Sequence, residues 1–436
     1  MPGTPLPASL PLIQPPTIAS PLLVAFSGGL DSTALLRALS QDARIREQGL
    51  RAIHIHHGLQ THADDWAKHC ENFCDALGVT LTVVNVAVDR NSGDGLEAAA
   101  RKARYAAFES VMREHEVLVT AHHRDDQAET FLLRALRGSG PDGLAAMRPW
   151  RRFAKGWHWR PLLETSRDDL LDYARQHGLS WLDDPSNENT DHDRNFLRQR
   201  IMPLLRERWP HASDAFARSA WLNVDAVELL DETDAQALAL AGTTDPQALS
   251  VGALQALPPA RRARVLRRWI ADLGFPLLPG AGIAHIESDL LPAREDAKAR
   301  FEWREIVIER WRDLLHVERH RDPLPADWRA EWDGRLPLPL PGGGSLCLEG
   351  AEALPSTLQV FARQGGERIT LPGRGHSHAL KHLLQELGVP PWERARLPLL
   401  ADAGSELLAV ADLAYSAGFD VWLYAQGARL RWSRDP

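Results

Sequence analysis

The segment Ser27-Gly28-Gly29-Leu30-Asp31-Ser32 has the residue types needed to hold a phosphate chain. Gly28 and Gly29 can take positive φ, so successive backbone N–H groups can point into one concavity. A helical pattern begins at Asp31, and the positive end of that helix adds to the attraction for an anion. Ser27 and Ser32 supply hydroxyl donors, and Asp31 can hold Mg²⁺ against phosphate oxygens. No Gly-Lys-Ser/Thr closes the segment and its glycines do not fall as G-x-G-x-x-G, so it is neither a Walker A loop nor a dinucleotide fingerprint. Serine–glycine turns are common by chance. This one stands between an apolar run, Pro21 to Phe26, and a helix, where a phosphate loop belongs.

A second segment, Ala121 to Thr130, follows the apolar run Val117–Thr120. Asp126, Glu129 and Thr130 fall at i, i+3 and i+4 and share one face of the opening helical turns. Two carboxylates, with Asp125 a third, can hold Mg²⁺ or an ammonium group, although acids at a helix N-terminus also serve the dipole alone. Positive charge comes almost wholly from guanidinium, because only five of the 50 basic residues are lysines. Arg194, Arg198, Arg200, Arg206 and Arg208 form one cluster, and Arg261, Arg262, Arg264, Arg267 and Arg268 another. His54, His56, His57, His122 and His123 invite a zinc reading, but such histidines more often line a nucleotide pocket or pack at strand ends.

These residues need a scaffold. Strand patterns at Leu22–Phe26, Arg51–His57, Leu81–Val88, Val117–His122 and Trp181–Leu182 alternate with helical ones at Leu96–Glu114, Asp126–Arg137 and Arg167–Gly178. That alternation predicts an α/β fold, a parallel sheet with helices on both faces. Ligands in such sheets lie beyond the carboxyl ends of the strands, the edge that carries Ser27, His56, His57, His122 and His123. From about 212 to 320 the chain reads almost wholly helical. The Pro/Gly-rich stretch Leu336–Gly344 is then a linker or a pair of turns, and the remainder mixes short strands with one helix, Leu380–Leu387.

A net charge of −8 argues against wholesale coating of nucleic acid while allowing local basic surfaces. No apolar run approaches ~20 residues, so no membrane span is expected. Cys70, Cys74 and Cys347 are too few for a disulfide framework and fit a cytoplasmic location. Cys70 and Cys74, four apart in a helical stretch, read as buried thiols.

The first segment resembles the pyrophosphate (PP) loop of N-type ATP pyrophosphatases. Through nearly its whole length the chain is similar to the bacterial tRNA(Ile)-lysidine synthetase family. The resemblance runs through Ser27–Ser32, His56–Leu59, Leu96–Tyr105, His122–Glu129, Arg137–Met147, Arg160–Leu163, Asp184–Asn187 and Arg194–Arg198. Near the C-terminus it continues through Arg363–Arg368, His376–Lys381 and Val389–Leu400.

The resemblance implies a PP-loop ATPase-type catalytic domain at 21–211 after a loose arm at 1–20. A helical tRNA-binding middle domain at 212–325, a linker at 326–350 and a small α+β tRNA-binding domain at 351–436 would follow. It implies ATP-dependent ligation of free L-lysine to C2 of the first anticodon cytidine of CAU-anticodon tRNA(Ile), through an adenylated base, with release of pyrophosphate and AMP. Ser27, Gly28, Gly29, Leu30, Asp31 and Ser32 would hold ATP, with Asp31 the Mg²⁺ contact. Asp31, Asp126, Glu129 and Arg194 would serve catalysis. Asp126, Glu129, Arg198, Arg363, Arg374 and Lys381 would bind substrate. Arg101 and Arg104 would face the nucleotide or serve a purely structural helix pair. The resemblance leaves room for a homodimer. A tRNA thiolase of the same superfamily would be expected to carry a C-x-x-C pair, whereas Cys70 and Cys74 are spaced C-x-x-x-C. A non-catalytic tRNA-binding protein would be expected to have an altered loop, and this one is intact.

Overall fold

The computed structural model describes residues 10–13, 20–58, 63–87, 96–184, 189–294 and 299–433. Two compact units divide the chain, Met1–Asp231 and Glu232–Pro436. Among the described residues no helix is long and apolar enough to cross a membrane.

The first unit is built on six strands, β1 (Leu22–Ala25), β2 (Leu50–His56), β3 (Thr80–Asn85), β4 (Val117–Val119), β5 (Trp150–Phe153) and β6 (Gly156–Trp159), in the order β3-β2-β1-β4-β6-β5. All neighbours are parallel except β5 and β6, which form a hairpin. Alternate residues of β1 feed two cores. Leu22 and Val24 join one with Leu35, Leu36, Cys70 and Leu170, while Leu23 joins the other with Ile53, Phe108, Met112 and Leu118. The helices are α1 (Leu30–Gln41), α2 (Ala43–Gln48), α3 (Ala63–Leu77), α4 (Leu96–Val111), α5 (Arg124–Leu136), α6 (Pro141–Leu144) and α7 (Arg167–Gln176). After them come α8 (Asp193–Phe196), a π-helical turn at Leu197–Ile201, α9 (Met202–Arg208) and the long α10 (Ala212–Ala241).

The parallel α/β reading holds, with three differences. Trp181–Leu182 is not a strand. Among the described residues its backbone tie to the sheet end is Leu182 N–H donating to Gly28 O (2.9 Å), too little to start a ladder. The aromatic hairpin β5–β6 extends the sheet beyond β4 and was not foreseen. The described part of the N-terminal arm is anchored, since Leu10 is buried, Ile13 N–H donates to Pro161 O and Thr165 Oγ1 donates to Pro11 O.

The second unit opens with β7 (Ala248–Ser250), α11 (Val251–Ala256), α12 (Pro259–Asp272), α13 (Gly280–His285) and a π-helical turn at Ile286–Leu290. The helical middle is present, but residues 300–319 are not part of it. They form β8 (Arg300–Trp303), β9 (Ile306–Trp311) and β10 (Leu314–Arg319), an antiparallel sheet completed by β7. Phe301 and Trp303 alternate with charged residues, Ile306, Val307 and Ile308 are buried in a row, and Phe301, Trp303, Ile306 and Ile308 join one core with Val265, Leu266 and Trp269 of α12. Burial of paired strands on that helix, not helix propensity, decides here.

Residues 326–350, expected as a linker, are folded into the terminal sheets. The strands are β11 (Arg329–Trp332), β12 (Leu338–Pro339), β13 (Ser345–Glu349), β14 (Leu358–Ala362), β15 (Arg368–Ile369), β16 (His378–Ala379), β17 (Pro398–Ala401), β18 (Leu407–Val410), β19 (Ala414–Tyr415) and β20 (Arg429–Ser433). Their order is β11-β14-β17-β18-β19, with β12-β13-β20 and β15-β16 as smaller sheets. The helices α14 (Leu380–Glu386), α15 (Pro391–Arg394) and α16 (Ala417–Gln426) complete the α+β terminal region.

Candidate active site

Strand order reverses between β1 and β4, so the loops leaving these two strands face one crevice. The serine–glycine loop leaves β1 and the acidic segment leaves β4. Both predicted segments therefore meet at the switch point.

The loop is shaped by close packing. Gly28 has φ +82°, and a Cβ there would come within 2.9 Å of Cys70 Sγ, so only glycine fits. Ser27 Oγ and Ser32 Oγ lie 3.0 Å apart, and Ser32 Oγ donates to Gly29 O at 3.0 Å, drawing the loop over the start of α1. Gly29, the residue before α1, caps the helix with no side chain. The first-turn N–H groups stay available to an anion. Beneath the loop, His54 Nδ1 donates to Phe26 O (2.9 Å) with Cys70 Sγ at 3.4 Å, and burial holds this imidazole below its usual pKa. One carboxylate oxygen of Asp31, Oδ1, is buried without a hydrogen-bond partner, as expected of an atom that awaits a cation. A lone hard oxygen donor beside a phosphate cradle fits Mg²⁺, which binds through one or two carboxylates plus substrate phosphates.

The acidic segment opens α5. His123 precedes the helix, and its backbone N–H donates to Asp126 Oδ2 (3.0 Å). Its Nδ1 lies 3.2 Å from Asp125 N and 3.8 Å from Asp125 Oδ2, while Nε2 faces Asp126 Oδ2 at 3.4 Å and Asp31 Oδ2 at 3.6 Å. Burial opposes a charge on this ring, but Asp126, Asp31 and Asp125 outweigh it and raise its pKa to about 9. This buried histidine thus joins the phosphate loop to the acidic pair. Sequence reasoning had marked it only as a pocket-lining residue.

Asp126 and Glu129 do meet Arg194 and Arg198, which lie 65 to 72 residues away. Arg194 donates Nε to Glu129 Oε2 (2.9 Å) and Nη2 to Asp126 Oδ1 (3.0 Å). Arg198 donates Nε to Glu129 Oε1 (2.7 Å) and Nη2 to Asp126 Oδ1 (2.9 Å) and Glu129 Oε2 (3.0 Å). Burial disfavours the Asp126 carboxylate, yet His123, Arg194, His122 and Arg198 together hold it well below the usual carboxylate range. Arg198 sits in the π-helical turn, a departure from α geometry that often marks functional sites. Thr130, expected on the same face, instead donates Oγ1 to Asp126 O within its own helix. Pro185, Ser186 and Asn187 of the predicted 184–187 motif, and Leu59 of the 56–59 motif, lie outside the described residues.

The remaining basic candidates divide. Arg363 is paired with Glu367 (3.6 Å), whose Oε1 also accepts from the backbone of Gln364 and Gly365, so this arginine braces a turn. Arg374 and Lys381 are exposed, with Arg374 beside His378 (3.4 Å). In the α12 cluster Arg262 pairs with Glu287 and Arg264 with Asp234, leaving Arg261 and Arg267 exposed.

A parallel sheet with a serine–glycine loop at its switch point defines the first unit as a PP-loop domain of the ATP-utilising type. Comparison with known proteins agrees and extends this. Residues 9–205 match the PP-loop domain family, 249–316 the TilS substrate binding domain and 358–432 the TilS substrate C-terminal domain. The chain is 53% identical over 432 residues to the tRNA(Ile)-lysidine synthase of Xanthomonas axonopodis pv. citri (strain 306), covering 99% of this chain and 96% of that one. It is 52% identical over 430 residues to the tRNA(Ile)-lysidine synthase of Xylella fastidiosa (strain 9a5c), covering 97% and 98%. It belongs to the tRNA(Ile)-lysidine synthase family, and so is an enzyme, a ligase.

Proposed function

We propose that this enzyme joins free L-lysine to C2 of the first anticodon cytidine of CAU-anticodon tRNA(Ile) in the cytoplasm, using ATP and Mg²⁺. The product reads AUA in place of AUG. The observation that carries the reading is the convergence, through His123, of Asp31 in the phosphate loop with the Asp126–Glu129–Arg194–Arg198 cluster.

The loop N–H groups and the Ser27 and Ser32 hydroxyls hold the ATP phosphates, and Asp31 would hold Mg²⁺, which when bound would supply positive charge beside the phosphates. The cytidine O2 attacks the α-phosphorus, forming the adenylated base as the bond to pyrophosphate breaks. The lysine ε-ammonium gives up one proton to solvent, the neutral amine attacks C2, and the C2–O bond breaks to release AMP. Asp126 is held so acidic that it stays ionised and is a poor base. Its part is to attract the lysine ammonium, together with Glu129. In the resting site both carboxylates are already neutralised by guanidinium. Lysine therefore enters by exchange, displacing the more exposed Arg198 (35% against 25% for Arg194) toward the nucleotide phosphate. The exposed Arg261, Arg267, Arg374 and Lys381 of the second unit hold the RNA backbone. Exchange is testable: without nucleotide, lysine should free Arg198 from its carboxylates only when both are present. Lysine should therefore speed the reaction of Arg198 with phenylglyoxal in the wild type and not in Glu129→Gln. Protection in the wild type, or a lysine effect that survives the substitution, would place lysine elsewhere.

A further inference from the structure

Thr120, immediately after β4, holds two histidines with one hydroxyl. Its Oγ1 lies 2.7 Å from His122 Nδ1 and 2.8 Å from His158 Nε2. The far end of this chain fixes where every proton sits. Arg151 Nε donates to His158 Nδ1 at 3.2 Å, and Arg160 Nη2 does the same at 3.2 Å. A guanidinium can only donate. His158 Nδ1 therefore carries a lone pair, and its single ring proton is on Nε2, where it is given to Thr120 Oγ1. A hydroxyl could accept from both rings, but among the described residues His122 Nδ1 is the one acceptor in reach of the threonine proton, so that proton goes there. His122 is left neutral with its own proton on Nε2, a nitrogen that no protein group among the described residues engages.

The surroundings suit a neutral donor. Burial pushes both imidazoles well below their usual pKa; Arg160 and Arg151 add to this at His158. The charges around His122 are Asp126, which favours its protonation, and Arg160, Arg194 and Arg101, which oppose it. Arg160, buried among Arg151 and Arg101, is itself pushed down to about 10. Another cation here would be costly, whereas an uncharged N–H can point at an anion without adding to the repulsion.

We propose that His122 meets the reacting nucleotide as a neutral, tautomer-locked N–H donor to a phosphate oxygen, and that Thr120, His158, Arg151 and Arg160 are positioning residues that hold it so. The contact with substrate rests on the function proposed above; the tautomer lock does not. Two measurements on the full-length protein test the two parts separately.

The first is ¹⁵N imidazole NMR, with the His122 signals assigned by their loss in His122→Gln. The Nε2–H tautomer should persist unchanged from about pH 6 to pH 8.5, although a free histidine would titrate near ~6.5. An Nδ1–H tautomer, or protonation with a midpoint above ~6, would overturn the lock. The second is kinetic. Thr120→Val should lower kcat for lysidine formation on the order of 10- to 100-fold with KM for ATP within about threefold, because the donor is lost and the pocket is not. It should also unlock the ring, so that an Nδ1–H population joins Nε2–H in the ¹⁵N spectrum of the variant. Thr120→Ser, which keeps the hydroxyl, should restore kcat to within about threefold. Full kcat in Thr120→Val, or no rescue by serine, would remove His122 from the reaction. If the valine variant does not fold, the wild-type spectrum and the serine variant still decide. A wild type that locks His122 but forms no lysidine would overturn the substrate contact and the proposed function together while the lock stood.

Discussion

Asp125 and Asp126 are adjacent in the chain and both face His123, but their side-chain hydrogen bonds run to different partners. Asp126 Oδ1 accepts from both Arg194 and Arg198 inside the candidate site. Asp125 Oδ1 accepts from Arg206 and Ser213, and its Oδ2 accepts from the backbone N–H of Arg167, so it clasps α9, α10 and α7 to the start of α5. On the proposed function, one carboxylate serves chemistry; the other ties helices together.

The two should separate by mutation. Asp125→Ala breaks three hydrogen bonds at a mostly buried carboxylate and should cost about 2 kcal/mol, after discounting for the exposed Arg206. Activity per folded molecule should stay within about fivefold. Asp126→Asn should do the reverse, lowering kcat on the order of 10²- to 10³-fold. Urea unfolding and turnover on the same preparations check both. Equal loss of activity in the two variants would contradict the division.

Glu129 is 2% exposed at its side chain and accepts from both arginines. Glu129→Gln keeps the shape, loses the charge and turns an amide N–H₂ toward guanidinium. KM for lysine should rise at least about tenfold more than KM for ATP, since an ammonium read by carboxylates is lost with one of them. Steady-state kinetics with each substrate varied decides this, and equal rises would assign Glu129 to the nucleotide.

Burial raises the pKa of Cys70 and of Cys74 to about 12. The folded protein keeps both protons to a higher pH than the unfolded chain. The stability that the neutral thiols confer is therefore intact below about 9 and lost as pH rises from there toward 12. The urea midpoint should hold steady up to about pH 9 and then fall. At pH 8 a disulfide reagent should titrate Cys347 quickly and the other two only in denaturant. Rapid reaction of all three in the native protein would contradict this.

Two arginines of the terminal region should behave differently toward RNA. Arg396 donates to Glu318 (2.7 Å) and to Arg321 O (2.8 Å) and is mostly buried, whereas Arg374 is exposed. Arg374→Ala should weaken tRNA binding and flatten its log–log salt slope by about 0.7–0.9. Arg396→Ala should lower thermal stability and leave the slope alone. Binding isotherms at four salt concentrations, with melting curves, test the pair.

The phosphate loop and its strand–turn–helix setting were legible because they are local. Gly28, Ser27 and Ser32 do their work within six residues, and β1 is a short apolar run. The acidic face of α5 was legible for the same reason. Its partners were not, because nothing in the sequence says that Arg194 and Arg198 return across 65 or more residues to neutralise Asp126 and Glu129. Burial then makes these arginines part of the resting site, where sequence reasoning had given them a separate task. Residues 300–319 misled through composition. Their arginine, leucine and glutamate content favours helix, but Phe301, Trp303, Ile306 and Ile308 join one core as paired strands, and Arg304 and Arg312 take the left-handed conformation that two tight turns require. The stretch 326–350 looked like a linker because proline and glycine mark turns as readily as linkers, and here they bend a chain whose flanks pair as strands.

On the proposed function, the Asp31 loop and the Asp126–Glu129 cluster act on one nucleotide to couple lysine to RNA. The direct measurement is incorporation of radiolabelled lysine into CAU-anticodon tRNA(Ile) by the purified protein with MgATP, beside Asp31→Ala. The account predicts label in RNA that depends on ATP, with Asp31→Ala reduced on the order of 10²- to 10³-fold while its tRNA affinity stays within a few-fold. No label with the wild type, or full incorporation by Asp31→Ala, would contradict it.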